Sequence, residues 1–189
     1  METETRTIFF IGKPGCGKGT QAKMLAEKTG WRVISAGSQF RAIATEDTPV
    51  GRKIKSEIDA GILAPHWFAM YLYLKALFAV EEASPIIFDG FNRKIPEAEL
   101  VIDSLKWLGR KPTVIKIRVS DDEVRRRLEG RKTIEGRADD NAVDERMKEF
   151  YEYTDPAVRL FNEAGILIEV NGEQPPETIA ADIAAALKI

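Results

Sequence analysis

Short apolar runs alternate with longer segments of mixed polarity along the chain. The runs are Ile8-Phe9-Phe10-Ile11, Trp31-Arg32-Val33-Ile34, Pro85-Ile86-Ile87-Phe88, Thr113 to Val119 and Ile166 to Val170. Each has the length and bulk of a strand. The segments between them read as helices. One runs from Gln21 to Lys28. Ser35-Ala36-Gly37-Ser38 supplies N-cap chemistry for a second, which carries Phe40 and Arg41. Another spans about Val50 to Ala60, with Gly61 placed as its C′ residue. Pro65 suits the first turn of a helix reaching about Glu82. That helix is apolar on nearly every side, from Trp67 to Val80, which predicts a buried core helix, with an oligomer face as the alternative. A further helix ends at Gly109 and presents Ala98, Val101, Leu105 and Leu108 on one face. Ser120-Asp121-Asp122-Glu123 is a capping box that opens a helix burying Val124 and Leu128. The polar stretch Gly130 to Arg137 follows. Then comes a long helix broken near Asp155-Pro156, and a last helix after Pro175-Pro176 with Ile179, Ile183 and Leu187 on one face.

Strands that alternate with helices predict an α/β fold: five parallel strands with helices on both faces. Ligands in such sheets sit beyond the carboxyl ends of the strands. Gly12 and Asp89 both lie just past such ends, so they should face one cleft.

The 189 residues are enough for one domain with a proper core. Hydrophobic residues make up 44% and charged residues 31%, the balance of a globular chain. A net charge of −2 shows no nucleic-acid-binding excess. No apolar run is long enough to span a bilayer, and Met1-Glu2-Thr3-Glu4 does not read as a signal peptide, so a cytoplasmic protein is expected. The single cysteine, Cys16, and single histidine, His66, exclude a disulfide framework and a Cys/His zinc site. Cys16 reads as a small residue that fits its loop, or as a redox-sensitive thiol. His66 reads as structural.

The first strand runs into Gly12-Lys13-Pro14-Gly15-Cys16-Gly17-Lys18-Gly19-Thr20 and a helix leaves it. That is the phosphate-binding loop pattern in its required strand–turn–helix setting. Glycines let backbone N–H groups point inward at an anion, and the helix N-terminus adds to the field. Gly15, Cys16, Gly17, Lys18, Gly19 and Thr20 are the candidate ATP-phosphate site. Lys18 should reach the terminal phosphates and Thr20 should hold Mg²⁺. Asp89, ending an apolar strand, suits the metal-holding acid of such proteins, acting through water. Around the cleft the chain can supply Arg41, Arg93, Arg127, Arg131, Arg137 and Arg146. Guanidinium groups donate two bonds to a phosphate and stay charged. Phosphoryl transfer needs positioning and charge neutralisation rather than a covalent catalyst. Lys18, Mg²⁺ and these arginines are sufficient equipment.

The loop from Gly12 to Ala22, Asp89-Gly90-Phe91-Asn92-Arg93 and Gly136-Arg137-Ala138-Asp139-Asp140-Asn141 resemble segments of adenylate kinases and related nucleoside monophosphate kinases. Ser35 to Arg41 and Gly61 to Pro65 resemble that family's monophosphate-binding segment, and Arg127-Leu128-Glu129-Gly130-Arg131 its lid entrance. The resemblance implies a three-layer P-loop NTPase fold with a small helical monophosphate-binding insert at 35–64 and a short, zinc-free lid at 131–138. It implies reversible, Mg-dependent transfer from ATP to a nucleoside monophosphate by a monomer. Carried over, Arg127 lies against the ATP adenine, Arg131 near its phosphates, and Gln174 offers its backbone carbonyl to that adenine. On the acceptor side the resemblance gives Ala36, Arg41, Ile62, Leu63, Ala64, Gly90, Phe91, Asn92, Arg93 and Glu97, with Arg137 and Arg146 reaching in from the lid flank and Asp139 and Asp140 aiding closure. Lys18, Arg93, Arg127, Arg137 and Arg146 make up the catalytic set.

Four positions depart from the family's pattern. Ala36 stands where adenylate kinases carry Thr, Ser38 where the family has Asp, Asn92 where it has Pro, and Glu97 where it has Gln. An ionised Glu only accepts hydrogen bonds, so Glu97 taken alone favours guanine, whereas the rest of the motif favours AMP. The spacing from Arg137 to Arg146 is two residues shorter than usual. AMP is the leading acceptor; CMP, UMP or GMP, a phosphotransferase acting on another metabolite, or a non-catalytic nucleotide-binding protein are the rivals.

Overall fold

A computed structural model describes residues 6–82, 84–135 and 142–189, with the backbone path alone for 131–135. Its centre is a five-stranded parallel sheet in the order β2-β3-β1-β4-β5. The strands are β1 (Arg6–Ile11), β2 (Arg32–Ser35), β3 (Ile86–Asp89), β4 (Lys111–Arg118) and β5 (Leu167–Asn171).

Alternate residues of the central strands feed two cores, as the two-residue period of a strand requires. Phe9, Ile11, Phe88 and Val114 face α4 (His66–Phe78), α5 (Ile95–Trp107) and α8 (Asp155–Glu163), where Tyr73, Leu77, Val101, Leu105 and Phe161 pack. Ile8, Phe10, Ile87, Ile115 and Ile117 face α1 (Lys18–Thr29), α6 (Asp121–Glu135) and α9 (Pro176–Leu187), where Ala22, Leu25, Val124, Leu128, Ile179 and Ile183 pack. Burying each large side chain contributes about 1.5–3 kcal/mol, so the strand runs that were plainest in the sequence also hold the layers together.

Two short helices, α2 (Ala36–Ala44) and α3 (Pro49–Asp59), follow β2 and pack on each other. Ser35 caps α2 by accepting from the Ser38 N–H, and Thr48 caps α3 by accepting from the Gly51 N–H. Gly61 closes α3 with φ +74°. A Cβ there would lie 2.7 Å from that of Ala142, so glycine is required both by dihedral and by the approach of α7 (Val143–Glu149).

Several elements differ from the sequence expectation. α4 stops at Phe78 and buries only part of its apolar surface: Ala69, Met70, Leu72, Tyr73 and Leu77 are inside, while Trp67, Tyr71 and Phe78 are exposed. Leu108 lies half-exposed past the end of α5, and Glu97 takes a buried place on that helix. α6 runs through Gly130 to Glu135, so the first part of the polar stretch is helical. Its capping box is half as expected. Ser120 accepts from the Glu123 N–H at 3.4 Å, but the Ser120 N–H donates to Glu173 at 2.6 Å, because the Glu123 carboxylate is drawn to Arg126 and Arg127. The long helix does not break before Pro156. It passes through a π-helical turn, Phe150–Thr154, in which the Asp155 N–H reaches back to the Phe150 carbonyl, and continues as α8. Among the described residues, no helix is long and apolar enough to cross a membrane.

Candidate active site

The loop after β1 turns on glycines in the left-handed region, Gly15 at φ +74° and Gly17 at φ +101°. A Cβ on Gly15 would meet Leu128 at 2.9 Å. Gly17 caps α1 and has no side-chain acceptor, so first-turn N–H groups of α1 remain available to an anion. Lys18 folds back over the loop and donates to the carbonyls of Gly12 and Lys13, both at 2.8 Å. Burial pulls its pKa down, and the charges of Arg93 and Arg146 pull the same way while Cys16 and Asp89 oppose. Three cations from separate elements therefore act on one point.

Asp89 ends β3 in register with Phe10 of β1 and Ser35 of β2. Its carboxylate accepts from the Ser35 hydroxyl at 3.1 Å and lies beside Gly19. Thr20 and Asp89 both border the cleft, and neither brings nitrogen or sulfur. That donor set fits Mg²⁺, which takes one or two protein oxygens together with phosphates and water.

The cleft beyond the strand ends measures about 1370 Å³. Gly15 to Thr20, Ala36, Arg41, Ile62, Leu63, Ala64, Asp89, Gly90, Arg93, Glu97, Arg127, Arg146 and Gln174 all line it. Phe91 and Asn92 do not. Phe91 packs edge-on against Phe88 in the core with ring centroids 5.5 Å apart. Asn92 is fully buried at φ +55°, with neither side-chain polar atom partnered. Proline cannot take that φ, so the usual family residue would need a different loop path here. The side chain of Arg131 and all of Arg137, Asp139 and Asp140 lie outside the described residues.

Arg41, Arg93 and Arg127 are each held in place. Arg93 donates to the Gly90 carbonyl at 2.7 Å. Arg41 lies over Gly37 and reaches Ser38. Arg127 bonds Glu123 at 2.7 Å, the Cys16 carbonyl at 3.3 Å and the Gly172 carbonyl at 2.7 Å. It thus ties the phosphate loop to the turn that precedes Gln174. Arg126 and Arg127 together hold the Glu123 carboxyl down to about 2.

Three features escaped the sequence reading. Glu149 of α7 accepts the Leu63 N–H at 3.0 Å and so fastens the 61–64 segment to the cleft wall. Its place three residues after Arg146, on the same helical face, was the available signal. Lys13 pairs with Asp121, which also accepts from the Tyr151 hydroxyl at 2.7 Å. Glu97 accepts from the Arg93 N–H at 2.6 Å, and its burial raises its pKa against the opposing pull of Arg93 and Lys94.

The adenylate kinase family model matches residues 10–166. The chain belongs to the adenylate kinase family. An adenylate kinase of Thermus thermophilus is 35% identical over 187 residues, covering 97% of this chain and 98% of the relative. Those of Maricaulis maris and Hyphomonas neptunium are 34% and 35% identical over 184 residues, covering 96% of this chain and 98% and 97% of theirs. This adenylate kinase family member is accordingly an enzyme, a phosphotransferase of the nucleoside monophosphate kinase class, and its five-stranded parallel sheet is the P-loop NTPase architecture expected of it.

Proposed function

We propose that the chain transfers the terminal phosphoryl group of Mg·ATP reversibly to a nucleoside monophosphate, with AMP the leading acceptor, and acts as a cytoplasmic monomer. The observation that carries this reading is the convergence of Lys18, Arg93 and Arg146 on one cleft whose floor is the phosphate loop. A site built for one polyphosphate needs the loop and Lys18; the further guanidinium groups of Arg41 and Arg93 suit a second anion.

ATP phosphates lie on the N–H groups from Gly15 to Thr20. Lys18 leaves the Gly12 and Lys13 carbonyls for the phosphate, whose charge offsets the crowding by Arg93 and Arg146. Thr20, and Asp89 through water, hold Mg²⁺, which when bound neutralises phosphate charge. Arg127 covers the ATP adenine, Gln174 offers it a carbonyl, and Arg131 reaches the ATP phosphates. Arg41 and Arg93 clamp the acceptor phosphate while Ala36, Ile62, Leu63 and Ala64 border the nucleoside. Arg137 and Arg146 steady the group in flight. The segment 35–64 and the lid at 131–138 close over the pair, with Asp139 and Asp140 assisting. Closure excludes water and suppresses hydrolysis.

A coupled ADP-formation assay with AMP, GMP, CMP and UMP tests the reading. Turnover is expected with AMP first. Absence of turnover with all four would overturn it. A bisubstrate analogue joining two adenosines through five phosphates should inhibit tightly.

A further inference from the structure

The acceptor half of the cleft carries carboxylates where a neutral amide would suffice. Glu97 is 3% exposed and still lines the cleft. The Arg93 and Lys94 N–H groups both reach its carboxylate, but a carboxylate offers about four acceptor sites, so acceptor capacity remains. Glu57 of α3 lines the same cleft, and its Oε2 is buried without a partner. Around them the wall is apolar, from Phe40, Ile54, Leu63 and Ala69, a surface suited to a flat base.

We propose, on the kinase reading above, that Glu97 sets the choice of acceptor base by its protonation state. As a carboxylate it favours the N1–H and 2-amino edge of guanine, which presents two adjacent donors. Protonated, it offers one donor and one acceptor, as an amide does, and so matches N1 and the 6-amino group of adenine. The buried, unpartnered oxygen of Glu57 adds acceptor capacity to the same lobe. Arg93 and Lys94, in the loop before α5, face the Glu97 carboxyl and favour its charged form, while its burial opposes them. Arg41 of α2, Glu57 of α3, and Arg146 and Glu149 of α7 share the cleft. Burial outweighs the cations and raises the Glu97 pKa above the ordinary carboxylate value.

The test measures kcat/KM for AMP and GMP with Mg·ATP, and equilibrium binding of each monophosphate, at pH 6.0 and 8.5 for the wild type, Glu97→Gln and Glu57→Gln. The ratio of GMP to AMP cancels the ionisation common to both phosphates. It should rise roughly tenfold from pH 6.0 to 8.5 in the wild type, the effect of one mismatched hydrogen-bond pair. In Glu97→Gln the ratio should be flat and should favour AMP at both pH values. The Gln carbonyl, with two lone pairs, can still accept from the Arg93 and Lys94 N–H groups, so the loop is preserved. Glu57→Gln should keep the pH slope and lower the ratio. A pH-independent wild-type ratio, or a Glu97→Gln ratio equal to the wild type's at pH 8.5, overturns the proposal. Binding without transfer would overturn the kinase reading and still decide the role of Glu97.

Discussion

The Leu63 N–H and the Glu149 carboxylate meet at 3.0 Å across 86 residues of sequence. The bond joins the 61–64 segment of the cleft wall to the helix that carries Arg146. Gly61, two residues earlier, allows the close approach by lacking a side chain at φ +74°. The 61–64 segment and α7 therefore meet at one seam of the cleft.

Glu149→Ala should leave the Leu63 donor without its partner. An unsatisfied buried N–H costs about 1–3 kcal/mol, and this part-buried one falls toward the lower end. The urea midpoint should fall accordingly, and KM for the monophosphate should rise by a larger factor than kcat falls.

Gly61→Ala places a methyl group against Ala142 and forces a strained dihedral. Strain of this kind costs about 1–3 kcal/mol. Thermal unfolding should show a lowered Tm, and a second change that trims residue 142 to glycine should restore only the packing part of the loss.

Lys18→Ala removes the cation at the phosphate loop. Loss of one preorganised electrostatic contact lowers kcat by roughly 10²–10³. The coupled assay should show that fall while circular dichroism remains native, because Lys18 contributes no core packing.

Glu97 also gives stability a pH dependence of defined sign. Its folded pKa is raised by burial, so between the unfolded value of about 4.3 and that raised value the native state binds more protons than the unfolded chain. Stability from this group is greatest below the unfolded pKa and declines as pH rises through the window. Urea titrations from pH 4 to 8 should show a shallower slope in Glu97→Gln; an identical slope would remove Glu97 from the account.

The sheet and the phosphate loop were legible in the sequence because each rests on local chemistry. A strand buried on both faces is a continuous apolar run, and Gly12 to Thr20 carries its own strand, turn and helix signals. Contacts set by tertiary approach were not. The spacing of Glu149 from Arg146 points it at the cleft, but nothing local says that Leu63 will arrive beside it. The exposure of Trp67, Tyr71 and Phe78 was hidden because a helix apolar on all sides has no periodicity to reveal its solvent face. Glu123 could have been read from its spacing: Arg126 and Arg127, at i+3 and i+4, compete for the carboxylate that a capping box would use. Glu97 was noted for its chemistry, but its grip on the Arg93 backbone depends on how the loop folds.

The π-helical turn from Phe150 to Thr154 keeps two halves of one rod in different phase. Downstream, Ala157, Val158 and Phe161 are seated in the sheet-facing core; upstream, Arg146 and Glu149 border the cleft. The turn takes up one residue more than regular winding does, so rewinding the same residues as an unbroken α-helix would swing its upstream half by about 100° around the axis. The anchor would stay put while the working end looked elsewhere. A change that straightens this joint at constant length would thus turn Arg146 and Glu149 away from the cleft.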